Sequence, residues 1–194
     1  MGMRKPHARV GGTMSKKTFL MILGYVIGGS VFLLLIPRGL FLVSRSFDHH
    51  IGIQLIPIPV VRIAVAAVLV PLGLMFGFWS SIVQNSKGEG GPLEGAHIRV
   101  SPKTKYLVVA GPYRYTRNPM LFGTCVFYYG IAAYLNSPIA LVLVALFMAF
   151  MLIFVKKTEE RRLLEDFGSD HQEYRRRVSM FVPWRQKRSE PSTN

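Results

Sequence analysis

The chain has 194 residues, half of them apolar and 18% charged, with 24 Lys and Arg against 10 Asp and Glu for a formal net charge of +14. An ordinary soluble domain is about 25% charged, so this composition excludes a disordered protein and an ordinary soluble enzyme. Its one cysteine, Cys125, excludes a disulfide scaffold.

The apolar residues fall in blocks. Phe19 to Pro37 and Ile63 to Val83 each predict a membrane span, since a helical span needs about 20 residues. A third block, Asn118 to Val155, is split by the turn signal Asn136-Ser137-Pro138 and predicts two helices in a tight hairpin. The fold class is therefore all-α integral membrane, with about four spans at roughly 18–37, 60–84, 119–135 and 138–156, plus C-terminal cytoplasmic helices. A small soluble domain could hardly bury stretches of this length. The first block follows a basic region as a signal peptide would. It is longer than a signal core, and Ile36-Pro37-Arg38-Gly39 offers no small-residue cleavage site, so it is read as a retained span. Pro6 argues against myristoylation at Gly2.

Basic residues set the orientation. The leader to Lys17 holds five, the segment Gln84 to Asn118 six, and the chain from Lys156 onward ten. Only Arg38, Arg45 and Arg62 fall on the other side. This positive-inside pattern places both termini in the cytoplasm. It also accounts for the +14 through topology and anionic head groups, so no nucleic-acid partner is expected.

Two features inside the N-terminal half invite attention. Pro71, followed by Gly73 and Gly77, predicts either a functional kink or ordinary close packing in span two. His49 and His50 lie in Ser46 to Pro59, read as a solvated loop; adjacent histidines with no companions predict no metal site.

The cytoplasmic segments carry the chemistry. After span two comes a Gly-rich loop, Asn85 to Gly95, which lacks a phosphate-loop pattern. A short β-like run, Lys105 to Ala110, leads to Gly111-Pro112 and then Tyr113-Arg114-Tyr115-Thr116-Arg117-Asn118-Pro119-Met120. Pro119 suits the first turn of span three and Asn118 its N-cap. Arg117 and Asn118 then stand at the positive end of a helix, which can receive a carboxylate or phosphate. Span four runs into Glu159-Glu160 and a helical segment reaching Gly168, a fitting stop. Because the hairpin helices are antiparallel, Arg117 and Asn118 must lie beside Glu159 and Glu160. These groups either frame an interfacial cleft or pair along their own helix, Glu159 with Arg162 and Glu160 with Lys156 or Lys157.

GPYRYTRNPM, the charge-free hairpin and EERRLLEDFGSDHQEYRRRV together resemble the isoprenylcysteine carboxyl methyltransferase family. That family belongs to a wider group of small integral-membrane methyltransferases that includes phospholipid N-methyltransferases. Gly111, Tyr113, Arg117, Asn118 and Pro119 match the first motif; Glu159, Glu160, Phe167, Gly168 and Tyr174 match the second. The similarity covers about residues 85–184. Three positions depart from the family pattern: Asn118 for histidine, Leu121 for tyrosine and His171 for the first C-terminal tyrosine.

The resemblance implies methyl transfer from S-adenosylmethionine to a lipophilic acceptor, whose carboxylate, amine or thiol is not specified. It implies a catalytic role for Arg117 and Glu160. It also implies cofactor binding by Gly111, Tyr113, Arg117, Asn118, Pro119, Glu159 and Glu160, with no metal. The expected organisation is a basic leader at 1–17, N-terminal spans at 18–84, a catalytic region at 85–186 and a disordered tail at 187–194. Membrane lipids are the expected surroundings, and the short chain fits a prokaryotic inner-membrane protein. Phe78, Trp79, Phe127, Tyr128 and Tyr129 are either an acceptor wall or packing. The segment from His171 through Tyr174 and Val178 to Trp184 is expected to fold back on the cleft. A nicotinamide-dependent membrane reductase and a non-enzymatic membrane protein are the alternative readings.

Overall fold

The computed structural model describes residues 16–88, 94–95, 98–99 and 106–183. The helices are α1 (Lys16–Ser30), α2 (Ile36–Ile51), α3 (Pro59–Gly88), α4 (Pro119–Leu135), α5 (Pro138–Lys157) and α6 (Glu159–Arg177). A two-residue antiparallel ladder pairs Glu94–Gly95 with Ile98–Arg99. The fold is an all-helical membrane protein: Ile22–Ile51, Pro59–Gly88 and the stretch beginning at Pro138 are long and apolar enough to cross a bilayer, and α4 is a shorter apolar helix. Large apolar side chains such as Val60, Val68, Ile82, Leu146 and Phe150 face outward, as they must where the solvent is lipid.

The N-terminal span differs from the expected 18–37. A π-helical turn, Val31–Leu35, joins α1 to α2, so helix continues to Ile51. The reason is Pro37. It has no N–H, yet it sits at the start of α2, where the register has already slipped and Ile36 N–H bonds to Val31 O. The slip leaves Phe32 O without a helical donor, and the Tyr128 hydroxyl donates to it at 2.9 Å. The proline therefore shifts the helix instead of stopping it. The stop comes at Gly52, in the left-handed region at φ 65°. His49 and His50 are thus in the last turn of α2, not in a solvated loop.

α3 also overruns its expected end. Asn85 to Gly88, read as loop, form its last turn. Leu107 to Val109 have no ladder partner among the described residues, so no strand forms there. Residues 89–93, the leader to residue 15, Trp184 and the tail 187–194 lie outside the described residues.

α3 and α4 form the most extensive helix pair. Their backbones meet at Gly73 and Gly123: a Cβ on Gly73 would stand 2.4 Å from Phe127 N, and one on Gly123 2.7 Å from Gly73 O. Gly73 therefore serves close packing. Leu40, Tyr128, Ala132, Ala140 and Val144 form a buried cluster between α2, α4 and α5.

The hairpin turn takes two residues. Asn136 adopts the left-handed conformation and ends α4, while Ser137 Oγ accepts from Ala140 N at 2.9 Å to cap α5. Ile56 N donates to Asn136 Oδ1 at 2.8 Å, and Ile139 N to Asp48 Oδ1 at 3.3 Å. The α2–α3 connection and the hairpin turn therefore share one end of the bundle. Arg117, Glu159 and Glu160 share the other.

The first half of α6 stops at Gly168, as expected. At φ 51° and ψ −121° this residue breaks the helix, which resumes and runs to Arg177. The chain then turns back along α4. Ser179 O accepts from Arg117 N at 2.9 Å, and the Phe181 ring meets Phe122 edge-on at 5.7 Å between centroids.

Candidate functional site

A cavity of about 290 Å³ opens where the first turn of α4, the end of α5 and both halves of α6 converge. Its polar wall includes Gln84, Tyr113, Arg117, Glu159, Glu160 and His171. Its apolar wall includes Phe32 from the π turn, Leu121 from α4, and Phe147, Met151 and Phe154 from α5.

At the centre of the polar wall, Arg117 and Glu160 form an ion pair, and both side chains are nearly buried. Arg175 Nε approaches the other carboxylate oxygen at 3.5 Å. Glu160, 6% exposed, is thus held between two guanidiniums, not paired with Lys156 or Lys157 as the surface alternative required. Burial pulls Arg117 below its ordinary value, and the Glu160 carboxylate opposes that shift. The pairing follows from the hairpin: α4 begins where α5 ends, and only Thr158 separates α5 from α6.

Asn118 stands at the N-cap position, but its side chain does not cap the helix. Its Nδ2 donates to Met180 O at 2.9 Å, and the Thr116 hydroxyl donates to the same carbonyl at 3.2 Å. Asn118 therefore clamps the returning C-terminal segment while lining the cavity. Pro119 supplies the first helical position and is buried on the cavity wall.

Tyr113 comes from a short 3₁₀ turn, Gly111–Arg114. Gly111 sits at φ 60°, and a Cβ there would meet Val83 Cγ2 at 2.9 Å. It lies off the cavity wall and aims the turn instead. The Tyr113 hydroxyl donates to Gln84 Oε1 at 3.1 Å, and its carbonyl accepts from the Tyr174 hydroxyl at 2.6 Å. Burial pushes both phenols well above their ordinary values, with the nearby Glu159 carboxylate adding to the shift at Tyr113. Both phenols stay protonated at neutral pH.

The structure gathers Tyr113, Arg117, Asn118, Pro119, Glu159 and Glu160 around one cavity and leaves Gly111 behind it. Of the two readings of the aromatic stripe, packing holds: none of the five residues lines the cavity. Phe78 and Trp79 are exposed, Tyr128 is core, and Phe127 and Tyr129 pack against that core. Gln84, Phe32, Phe147 and Phe154 escaped sequence reasoning because each belongs to an apolar or polar run with no local signature. Among the described residues no group of three or more His, Cys, Asp or Glu is placed to hold a metal ion.

Residues 61–170 match the family described as Phospholipid methyltransferase. The match spans more than half the chain, from the start of α3 to Asp170, the residue before His171, and it contains the Arg117–Glu160 pair. No curated protein and no solved structure matches the chain. The chain belongs to the phospholipid methyltransferase family of small membrane methyltransferases.

Proposed function

We propose that this membrane methyltransferase moves the methyl group of S-adenosylmethionine to a lipophilic acceptor at the cytoplasmic face of the bilayer. The observation that carries the reading is the two-sided cavity: ionic groups on one wall, and aromatic and aliphatic groups from the apolar helices on the other. A soluble-substrate enzyme has no use for the second wall. The basic residues around the cavity end of the bundle support the cytoplasmic assignment.

The residues present suit the cofactor. Arg117 Nε is buried without a hydrogen-bond acceptor, so a ligand carboxylate would complete it. Glu159, on the same wall, would face the ligand's ammonium group, and Tyr113, Asn118 and Pro119 would border the adenosyl portion. Glu160 holds Arg117 in place and keeps the guanidinium charged despite burial. When bound, the cofactor supplies a methyl group activated by its sulfonium centre.

Small-molecule sites run to about 300–1,000 Å³, so about 290 Å³ does not enclose a whole lipid. The acceptor's tail would stay in the bilayer against α5 while its polar end reaches past Phe154. The protein's contribution is then mostly alignment and exclusion of water.

Calorimetric titration of the full chain with S-adenosylmethionine, and separately with NADPH, tests the reading. Saturable binding of the first alone is expected. Binding of NADPH alone, or of neither, would overturn it.

A further inference from the structure

His171 is 1% exposed, lines the cavity, and has no hydrogen-bond partner for either ring nitrogen among the described residues. Most of the other polar groups around it are committed, Arg117 Nε excepted. Glu160 lies between Arg117 and Arg175; the Tyr113 hydroxyl bonds to Gln84, the Tyr174 hydroxyl to Tyr113 O, and the Asn118 amide to Met180 O. A buried polar group without a partner is destabilising, so an imidazole in this position calls for a ligand. The Phospholipid methyltransferase match ends at residue 170, and nothing in it assigns His171 a role.

We propose that His171 is the base that takes the proton from the amine of the lipid acceptor, the acceptor class that the phospholipid methyltransferase family itself implies. The inference rests on the methyl-transfer reading above. An amine reaches the site as R–NH₃⁺, with no lone pair to attack. One ring nitrogen of neutral His171 takes a proton and becomes imidazolium. The freed nitrogen pair forms the new C–N bond to the methyl carbon; the C–S bond breaks, and its electron pair stays on sulfur, leaving a neutral thioether. A carboxylate acceptor would have no proton to lose and no need of this imidazole.

The surroundings keep the ring neutral until it is used. Glu160, Arg175 and Tyr174 face it from its own helix and Arg117 from the turn before α4. Burial and the two guanidiniums lower its proton affinity, and the Glu160 carboxylate works the other way. A base with a midpoint near or below neutral pH suits proton removal under physiological conditions.

The test uses the full chain in nanodiscs, with the His171 ring resonances identified by their loss in His171→Gln. Without any methyl donor, nanodiscs containing phosphatidylethanolamine should shift the ring's titration midpoint down by about one unit relative to phosphatidylcholine, because a cationic ammonium then sits against it. With donor, His171→Gln and His171→Asn should lower amine methylation by about 10²–10⁴-fold and remove the acidic limb of the pH profile, a general-base effect. Cofactor affinity of both variants should stay within about twofold of the wild type, a difference worth under 1 kcal/mol. Identical ring titration in the two lipids, or wild-type turnover in both variants, would overturn the proposal. Failure of the wild type to bind S-adenosylmethionine would sink the methyl-transfer reading alone, and the donor-free titration would still decide whether His171 meets a lipid amine.

Discussion

The Tyr174 hydroxyl donates to the main-chain carbonyl of Tyr113 at 2.6 Å, across 61 residues of sequence. Tyr113 in turn donates to Gln84, so one hydrogen-bonded line runs from α6 through the 3₁₀ turn to α3. It spans the polar wall of the cavity and fixes the second half of α6, which the break at Gly168 would otherwise leave free to swing.

Tyr174→Phe removes that link and strands a part-buried carbonyl. The expected cost is about 1–3 kcal/mol in unfolding free energy, with weaker cofactor binding. Tyr115→Phe alters an exposed phenol and should change neither. Thermal unfolding in detergent and calorimetry measure both variants. Equal behaviour of the two would mean that the line does not hold the wall together.

Much of this arrangement is legible in the sequence. The charge-free runs gave the hairpin, and the antiparallel hairpin required the Arg117 end to lie beside the Glu160 end; that the two side chains pair, instead of Glu160 pairing with Lys156 or Lys157, is seen only in the structure. What escaped has physical causes. Pro37 reads as a helix end because a proline removes a donor, and only the Tyr128 hydroxyl, 96 residues away, shows how the loss at Phe32 is made good. Gly168 reads as a stop because its conformation is non-helical, yet helix resumes beyond it, where Tyr174 bonds to Tyr113. Asn118 reads as a cap because the residue type and position fit; its side chain goes instead to a carbonyl 62 residues on. Local pattern finds helices, whereas long-range partners decide where they bend.

The small-residue contact between α3 and α4 separates two glycines of similar appearance. Gly73→Ala drives a methyl into the backbone of Phe127, whereas a Cβ at Gly77 meets nothing within 4 Å. Overpacking of this kind costs about 1–3 kcal/mol. Gly73→Ala should lower thermal stability in detergent clearly, and Gly77→Ala should leave it equal or slightly raised. A similar loss in both would point to helix flexibility at Pro71 as the feature these glycines serve.

Topology follows from which ends lie together. Ile56 and Asp48 bond at the Asn136 turn, so the α2–α3 connection must face away from α6. Because Cys125 is buried, single cysteines placed at Gln54 and Gln172 should dominate labelling by a membrane-impermeant maleimide. In intact cells Gln54→Cys should label and Gln172→Cys should not, with the reverse in inside-out vesicles. Labelling of both from one side would reject the arrangement.

Stability should depend on pH through His171. Its ring binds a proton less readily in the native state than in the unfolded chain, whose imidazole titrates near about 6.5. Between the lower native midpoint and about 6.5 the unfolded state holds more protons, so native stability rises with pH through that window and is lost as pH falls through it. Denaturant midpoints for the wild type should therefore drop between about pH 7.5 and about pH 5.5 more than those of His171→Gln. Parallel curves would show that the ring is not a buried neutral group.

Glu160 and Glu165 lie on the same helix and differ in surroundings. Glu165 pairs with Arg161 at 3.1 Å, both well exposed, and such pairs contribute under about 1 kcal/mol. Glu160 is buried between Arg117 and Arg175, and removing one partner of a buried pair leaves an uncompensated charge at a cost of about 3–5 kcal/mol. Glu160→Gln should therefore destabilise the fold and weaken S-adenosylmethionine binding by about tenfold or more, while Glu165→Gln changes little. A double-mutant cycle with Arg117→Gln separates positioning from direct contact. If Glu160 acts by holding Arg117, the double variant binds cofactor no worse than Arg117→Gln alone. If Glu160 touches the cofactor itself, the two losses add. Small and equal effects of Glu160→Gln and Glu165→Gln would show that the buried ion pair is not part of the binding site.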